Sequence, residues 1–112
     1  MFMPSQFEIQ SELTDQGATV SISGELDLAT VPRLRQEIQT TLKQGTSQIV
    51  LELSNLTFID SSGLGLLIEL NNRSLNEDWE LRLTRPPARA FSVFSITGVD
   101  ANLPFIDESS SK

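Results

Sequence analysis

The sequence has no cysteine, no histidine and no tyrosine, and lysine occurs only at Lys43 and Lys112. Each absence excludes a class of chemistry. Without thiol or imidazole, neither a Ser-His-Asp nor a Cys-His catalytic arrangement can be assembled. A zinc site built from His and Cys is excluded on the same ground. No disulfide can form, and a small fold that does without staples is at home in the cytosol. No apolar run approaches the roughly twenty residues that span a bilayer, and Met1–Gln6 lack the charged region and apolar core of a signal peptide. Basic charge is scarce as well. Lys and Arg number 8 against 15 Asp and Glu, a formal net charge of −7, which repels phosphate backbones and anionic headgroups at long range. The expectation is a soluble cytoplasmic protein that is not an enzyme. It calls for no cofactor and no metal, and for neither nucleic acid nor membrane as a direct partner.

What is present organises a single domain. The 112 residues, 38% hydrophobic, suffice to bury a core. Met1–Gln6 read as a flexible N-terminus, residues 7–106 as the domain, and Asp107–Lys112 as a polar C-terminal tail. Phe7–Gln10 and Ala18–Leu26 alternate apolar and polar residues around the turn Asp15-Gln16-Gly17, the pattern of a hairpin with one face buried. From Thr30 the period changes: Val31, Leu34, Ile38 and Leu42 share one helical face, Pro32 suits the first turn, and Gly45 is the stop. Thr30 or its neighbours supply the cap. Gln48–Leu53 reads as a central strand buried on both faces, and Leu64–Leu75 as a helix. Trp79–Thr84 is a further strand stopped by Arg85-Pro86-Pro87, Ala88–Thr97 a helix closed by Gly98, and Phe105-Ile106 a last short strand. Strands alternating with helices predict an α/β domain with a mixed, mostly parallel β-sheet, an N-terminal hairpin, and helices packed against it.

The informative segment is Asp60-Ser61-Ser62-Gly63-Leu64-Gly65, where a strand hands over to a helix. A helix start has four unpartnered N–H groups and partial positive charge, so spacing alone favours ordinary capping by Asp or Ser. A nucleophile elbow fails, because Asp60 stands where it needs glycine and no histidine exists to activate the serine. A phosphate-cradling loop wants more glycine and a following lysine than Gly63-Leu64-Gly65 provides. A serine that receives a phosphate is the third reading, since a helix N-terminus offsets part of the added negative charge.

Phe58-Ile59-Asp60-Ser61-Ser62-Gly63-Leu64-Gly65 resembles the signature of the STAS-domain anti-sigma factor antagonists of bacteria. Gly24-Glu25-Leu26-Asp27 is similar to that family's Gly-Glu-Leu-Asp motif, and Ile49-Val50-Leu51-Glu52-Leu53 to the strand before the signature. The resemblance implies a STAS-like fold and a partner switch. The unphosphorylated antagonist binds an anti-sigma factor that is a serine kinase, which frees a sigma factor. Phosphorylation of the antagonist ends the complex, and a PP2C-type phosphatase restores it. Carried onto this sequence, the acceptor is Ser62, with Ser61 in a cap-like place beside it. Asp27 is the docking aspartate, next to Glu25, and Asp60, Gly63 and Leu64 flank the acceptor in the same interface. Taken alone, Glu25 and Asp27 read as an exposed strand-end charge or a cap for the helix beginning near Thr30, and only the motif raises Asp27 above a solvated carboxylate.

Two departures stand out. The turn Asn76-Glu77-Asp78-Trp79-Glu80 lacks the glycine many relatives have, so Asn or Asp must supply any left-handed residue, and Trp79 is expected over the sheet end. Arg82, Arg85 and Arg89 concentrate charge around a turn and read as solvated. Five apolar residues among Leu64–Leu70 cannot all face one way, so an apolar edge beside Ser62 is expected, tested at Leu66 and Leu70. Two alternatives stay open. One is a STAS module with a non-sigma client in a lipid-transport, stress-signalling or transporter-associated complex. The other is a small-ligand or nucleotide binder that uses Gly63-Leu64-Gly65.

Overall fold

A computed structural model of the chain describes residues 7–98 and 102–106. The expected flexible start and polar tail lie outside the described residues. Strands β1 (Phe7–Thr14) and β2 (Gly17–Leu26) form the antiparallel hairpin, with Phe7 opposite Gly24 and Thr14 opposite Gly17. Helix α1 (Val31–Lys43), strand β3 (Gln48–Ile59), helix α2 (Ser61–Glu77), strand β4 (Glu80–Leu83) and helix α3 (Ala88–Thr97) follow. The sheet order is β1-β2-β3-β4, with β2, β3 and β4 parallel. The α/β reading therefore stands. The last segment is a smaller feature than the expected strand: Phe105 makes a single bridge to Leu83.

The sheet is covered on one face, which corrects the expectation for the central strand. In β3, Ile49, Leu51 and Leu53 are buried while Val50 and Glu52 between them stay partly open. A short chain with three helices described has material to cover one side, so the other keeps polar residues. Beyond Leu53 the strand continues to Ile59, and its buried positions change from every second to every third residue: Leu53, Leu56, Ile59. Two register shifts against β2 account for that spacing, since each extra residue must be absorbed before the apolar side chain can face the core again. At the first shift the Thr84 hydroxyl, itself buried, accepts the Leu53 N–H at 2.8 Å.

Helix α1 buries Val31, Leu34, Ile38 and Thr41. Leu42 packs against the core as expected, though only partly buried, and Thr41 beside it is buried as well; the Thr41 hydroxyl donates to the Glu37 carbonyl at 2.8 Å, so it is not left without a partner. Helix α2 buries Leu64, Leu66, Leu67 and Leu70, each stabilised by about 1.5–3 kcal/mol relative to exposure. The exposed member of the leucine cluster is Ile68, while Leu66 and Leu70 lie in the core. A bidentate Arg35–Glu69 pair, at 2.9 and 3.1 Å, ties α1 to α2. The hydrogen bonds from Arg35 hold the Glu69 carboxyl below the usual glutamate range, against a smaller opposing effect of burial.

The end of α2 uses Asp78, in the left-handed region at φ 67°, as the turn requires without glycine. Trp79 is buried behind it, and its indole N–H donates to Glu77 at 3.2 Å. The three arginines separate: Arg82 pairs with Glu80 at 2.6 Å, Arg85 lies over the rings of Phe91 and Phe105, and Arg89 is exposed. All three are exposed, but Arg82 and Arg85 have partners within the chain and are not simply solvated.

The beginning of α2 is pressed against the end of β2. A Cβ built on Gly63 would lie 2.7 Å from the Leu26 carbonyl oxygen and 2.7 Å from Ile59 Cγ1. Gly63→Ala is expected to destabilise the fold by about 1–3 kcal/mol, because overpacking against backbone outweighs the roughly 1 kcal/mol that alanine gains in a helix; urea denaturation checks this. Thr84→Val is expected to lose about 1–3 kcal/mol in the same measurement, since it orphans the buried Leu53 N–H. The stability difference between wild type and Glu69→Gln should be present above the ordinary glutamate range. It should fade as pH falls through the lowered value of Glu69, where the carboxylate takes up its proton. Thermal melts across that range follow it.

Candidate functional site

Parallel pairing of β2 with β3 sets Glu25 beside Phe58 and Leu26 beside Ile59. The chain leaves both strands at the same level, so Asp27 and Asp60 begin neighbouring loops at the C-terminal edge of the sheet. That edge is where open α/β sheets present their working residues. The two stretches are 33 residues apart in sequence (Asp27 to Asp60), and a hydrogen bond from the Asp60 N–H to the Leu26 carbonyl, at 3.3 Å, joins them. All the residues expected at the site, Glu25, Asp27, Asp60, Ser61, Ser62, Gly63 and Leu64, are brought to this edge.

Asp27 organises the entry to α1. Its Oδ1 accepts the N–H groups of Ala29 and Thr30, at 3.0 and 3.2 Å. Thr30 occupies the N-cap position, but its side chain does not cap the helix. Its hydroxyl donates instead to the Glu25 carbonyl at 2.8 Å and accepts the Asp27 N–H at 2.9 Å. This closed loop fixes Asp27 against the strand end.

Asp60 does the corresponding work for α2. Its backbone is extended and its Oδ1 accepts the Gly63 N–H at 3.1 Å, while its carbonyl accepts from Leu64 at 3.0 Å. Asp60 is therefore the cap, and Ser61, expected in a cap-like place, is the first helical residue and exposed. The correction has a simple cause. A cap needs extended backbone, and Asp60 is still finishing the strand, whereas Ser61 has already turned. Ser62 is the second helical residue and half-buried, and among the described residues its hydroxyl makes no hydrogen bond. Gly63 and Leu64 are buried.

Two exposed apolar residues that alternation did not mark lie at the same edge. Leu28, directly after Asp27, is 75% exposed, and Phe58 is 48% exposed on the side of the sheet away from the helices. The lengthened spacing Leu53, Leu56, Ile59 was the available signal, since it leaves Phe58 pointing outward once Ile59 points in. Glu25, which pairs with Phe58, and Asp27 and Asp60 stand at the same edge, and among the described residues none of the three forms an ion pair. Among the described residues no three side chains of the ligating types converge to hold a metal ion. Nor is any helix there long and apolar enough to cross a membrane.

The arrangement has known counterparts. The family described as "Mlab, STAS domain" matches residues 9–106. The anti-sigma-B factor antagonist of Staphylococcus aureus is 33% identical over 91 residues, 81% of this chain and 84% of that protein. Among solved structures, an anti-sigma factor antagonist from Mycobacterium paratuberculosis is similar with a TM-score of 0.76 and 25% identity, covering 94% of this chain and 89% of that one. The Bacillus cell fate determinant SpoIIAA in its phosphorylated form is similar with a TM-score of 0.63 and 28% identity, covering 93% of this chain and 96% of that one. With a family match across nearly the whole described fold, the chain belongs to the STAS-domain family.

Proposed function

We propose that this protein is an anti-sigma factor antagonist that works by partner switching in the cytoplasm. Its unphosphorylated form binds an anti-sigma factor that is also a serine kinase, and a sigma factor is released. The observation that supports this reading is the meeting of two loops at one sheet edge, where the Ser62 hydroxyl, without a hydrogen bond among the described residues, follows the capping Asp60 in the first turn of α2. Similarity to an antagonist 33% identical adds to it, as does similarity to a cell fate determinant solved in a phosphorylated form.

In the switch, Ser62 Oγ takes the γ-phosphoryl group from the kinase's ATP, its proton passes to a base on the kinase, and ADP remains. The product has about −1.5 to −2 charges and three acceptor oxygens where a hydroxyl stood. Inside this chain the change is mild. The N–H groups of Ser61 and Ser62 lie in the first turn, where a helix leaves donors unpartnered and its dipole favours anions. Inside a close-packed complex it is severe, because the phosphate must be desolvated against the kinase's own nucleotide and acidic groups. An effect of about 2 to 5 kcal/mol changes affinity by roughly thirty-fold to several-thousand-fold. Water then removes the phosphate on a PP2C-type phosphatase, and Ser62 is restored.

Ser62→Ala is expected to bind the kinase permanently and Ser62→Asp to bind at least about tenfold more weakly, both measured by calorimetry with the purified kinase. Mass spectrometry after incubation with kinase and ATP should place one phosphate on Ser62. A phosphate on another residue, with Ser62 untouched, would sink the reading.

A further inference from the structure

Building on the antagonist reading, we infer that Leu28 and Phe58 are the apolar anchors of the docking face, and that the partner meets them with an apolar socket edged by arginine or lysine. Both side chains are exposed, at 75% and 48%, although large apolar groups gain from leaving water. Both stand at the Ser62 end of the molecule: Leu28 directly after Asp27, and Phe58 two residues before Asp60 and beside Glu25 in the parallel ladder. An apolar centre inside a polar rim is the usual anatomy of a protein interface, and aromatic residues are favoured as its anchors.

The rim names the partner's chemistry. Glu25 pairs with Phe58, Asp27 precedes Leu28 and Asp60 follows two residues after Phe58, and among the described residues the three carboxylates have no cationic partner. Asp27 and Asp60 each commit Oδ1 to main-chain N–H groups, and that leaves Oδ2 of each as an acceptor for an incoming donor. Burying these carboxylates against an apolar or acidic surface would be costly, and only a basic edge compensates. With a net charge of −7 on the whole chain, the same sign also draws a basic partner in from a distance.

An exposed leucine elsewhere provides the control. Leu13 is 62% exposed and faces Ala18 at the opposite end of the hairpin. The eight residue steps from Ala18 to Leu26 put about 26 Å between that end and the site.

The experiment measures affinity and rates for the purified anti-sigma factor kinase from the same organism, using wild type, Leu28→Ser, Phe58→Thr, Leu13→Ser and Ser62→Asp, with a thermal melt of each. Threonine keeps strand propensity at position 58, and Leu28→Ser, in a loop, keeps the test decisive should Phe58→Thr unfold. Leu28→Ser and Phe58→Thr are each expected to lose about tenfold or more in affinity, chiefly by faster dissociation, while Leu13→Ser binds as wild type. Raising the salt concentration should slow association of the wild type. Wild-type affinity in Leu28→Ser and Phe58→Thr, with binding still lost in Ser62→Asp, would overturn the anchors and leave the antagonist reading intact. An equal loss in Leu13→Ser would also overturn them. No binding by the wild type would overturn both.

Discussion

Everything at the working edge depends on how closely the first turn of α2 approaches the last residue of β2. The Gly63 backbone lies against the Leu26 carbonyl with no room for a side chain, and the Asp60 N–H donates to that same carbonyl. One oxygen atom thus anchors the start of the helix to the strand beside it. Because β2 and β3 are parallel and paired to their ends, their loops emerge together, and residues 33 positions apart (Asp27 and Asp60) come to share one surface. Were the helix held farther off, Ser62 would lose its fixed place next to the loop of Asp27.

The two aspartates show how structural and functional readings of one residue coexist. Asp27 and Asp60 each satisfy main-chain donors at a helix start with a single oxygen. Helix starts need such acceptors whatever else they do. The second oxygen of each accepts no main-chain donor among the described residues, and the proposed docking role rests on it. A local requirement of the fold has therefore placed charge at the rim of the site, and the cost of fixing those side chains is met before any partner arrives.

The one-sided sheet matters for the same reason. Helices cover the face that carries Ile49, Leu51 and Leu53, and the opposite face is left polar until the register shifts of β3 bring Phe58 out at its end. An aromatic ring at the end of a polar face is a localised feature, well suited to recognition and too small to promote aggregation. The far end of α2 is secured independently, by the left-handed Asp78 and the buried Trp79. The helix is thus held at both ends, and its buried Leu66, Leu67 and Leu70 lie in the core.

By itself the sequence determined the order of elements, the hairpin, the apolar faces of both long helices and the need for Asp or Asn in the turn after α2. These follow from local periodicity and from backbone preferences, which operate within a few residues. It also marked Asp60-Ser61-Ser62-Gly63 as a helix start, and by resemblance Ser62 as the acceptor. What tertiary structure decided was non-local. Whether Val50 and Glu52 face solvent depends on how many layers cover the sheet. Whether Asp60 or Ser61 caps α2 depends on where pairing with Leu26 ends. That Thr41 is buried beside a partly buried Leu42 follows from how α1 lies on the sheet, and the choice of Ile68 over Leu66 and Leu70 as the exposed residue from how α2 does. Leu28 and Phe58 were invisible for the same reason: an apolar residue's exposure is set by the elements packed around it, and strand alternation stops predicting it once a bulge changes the period.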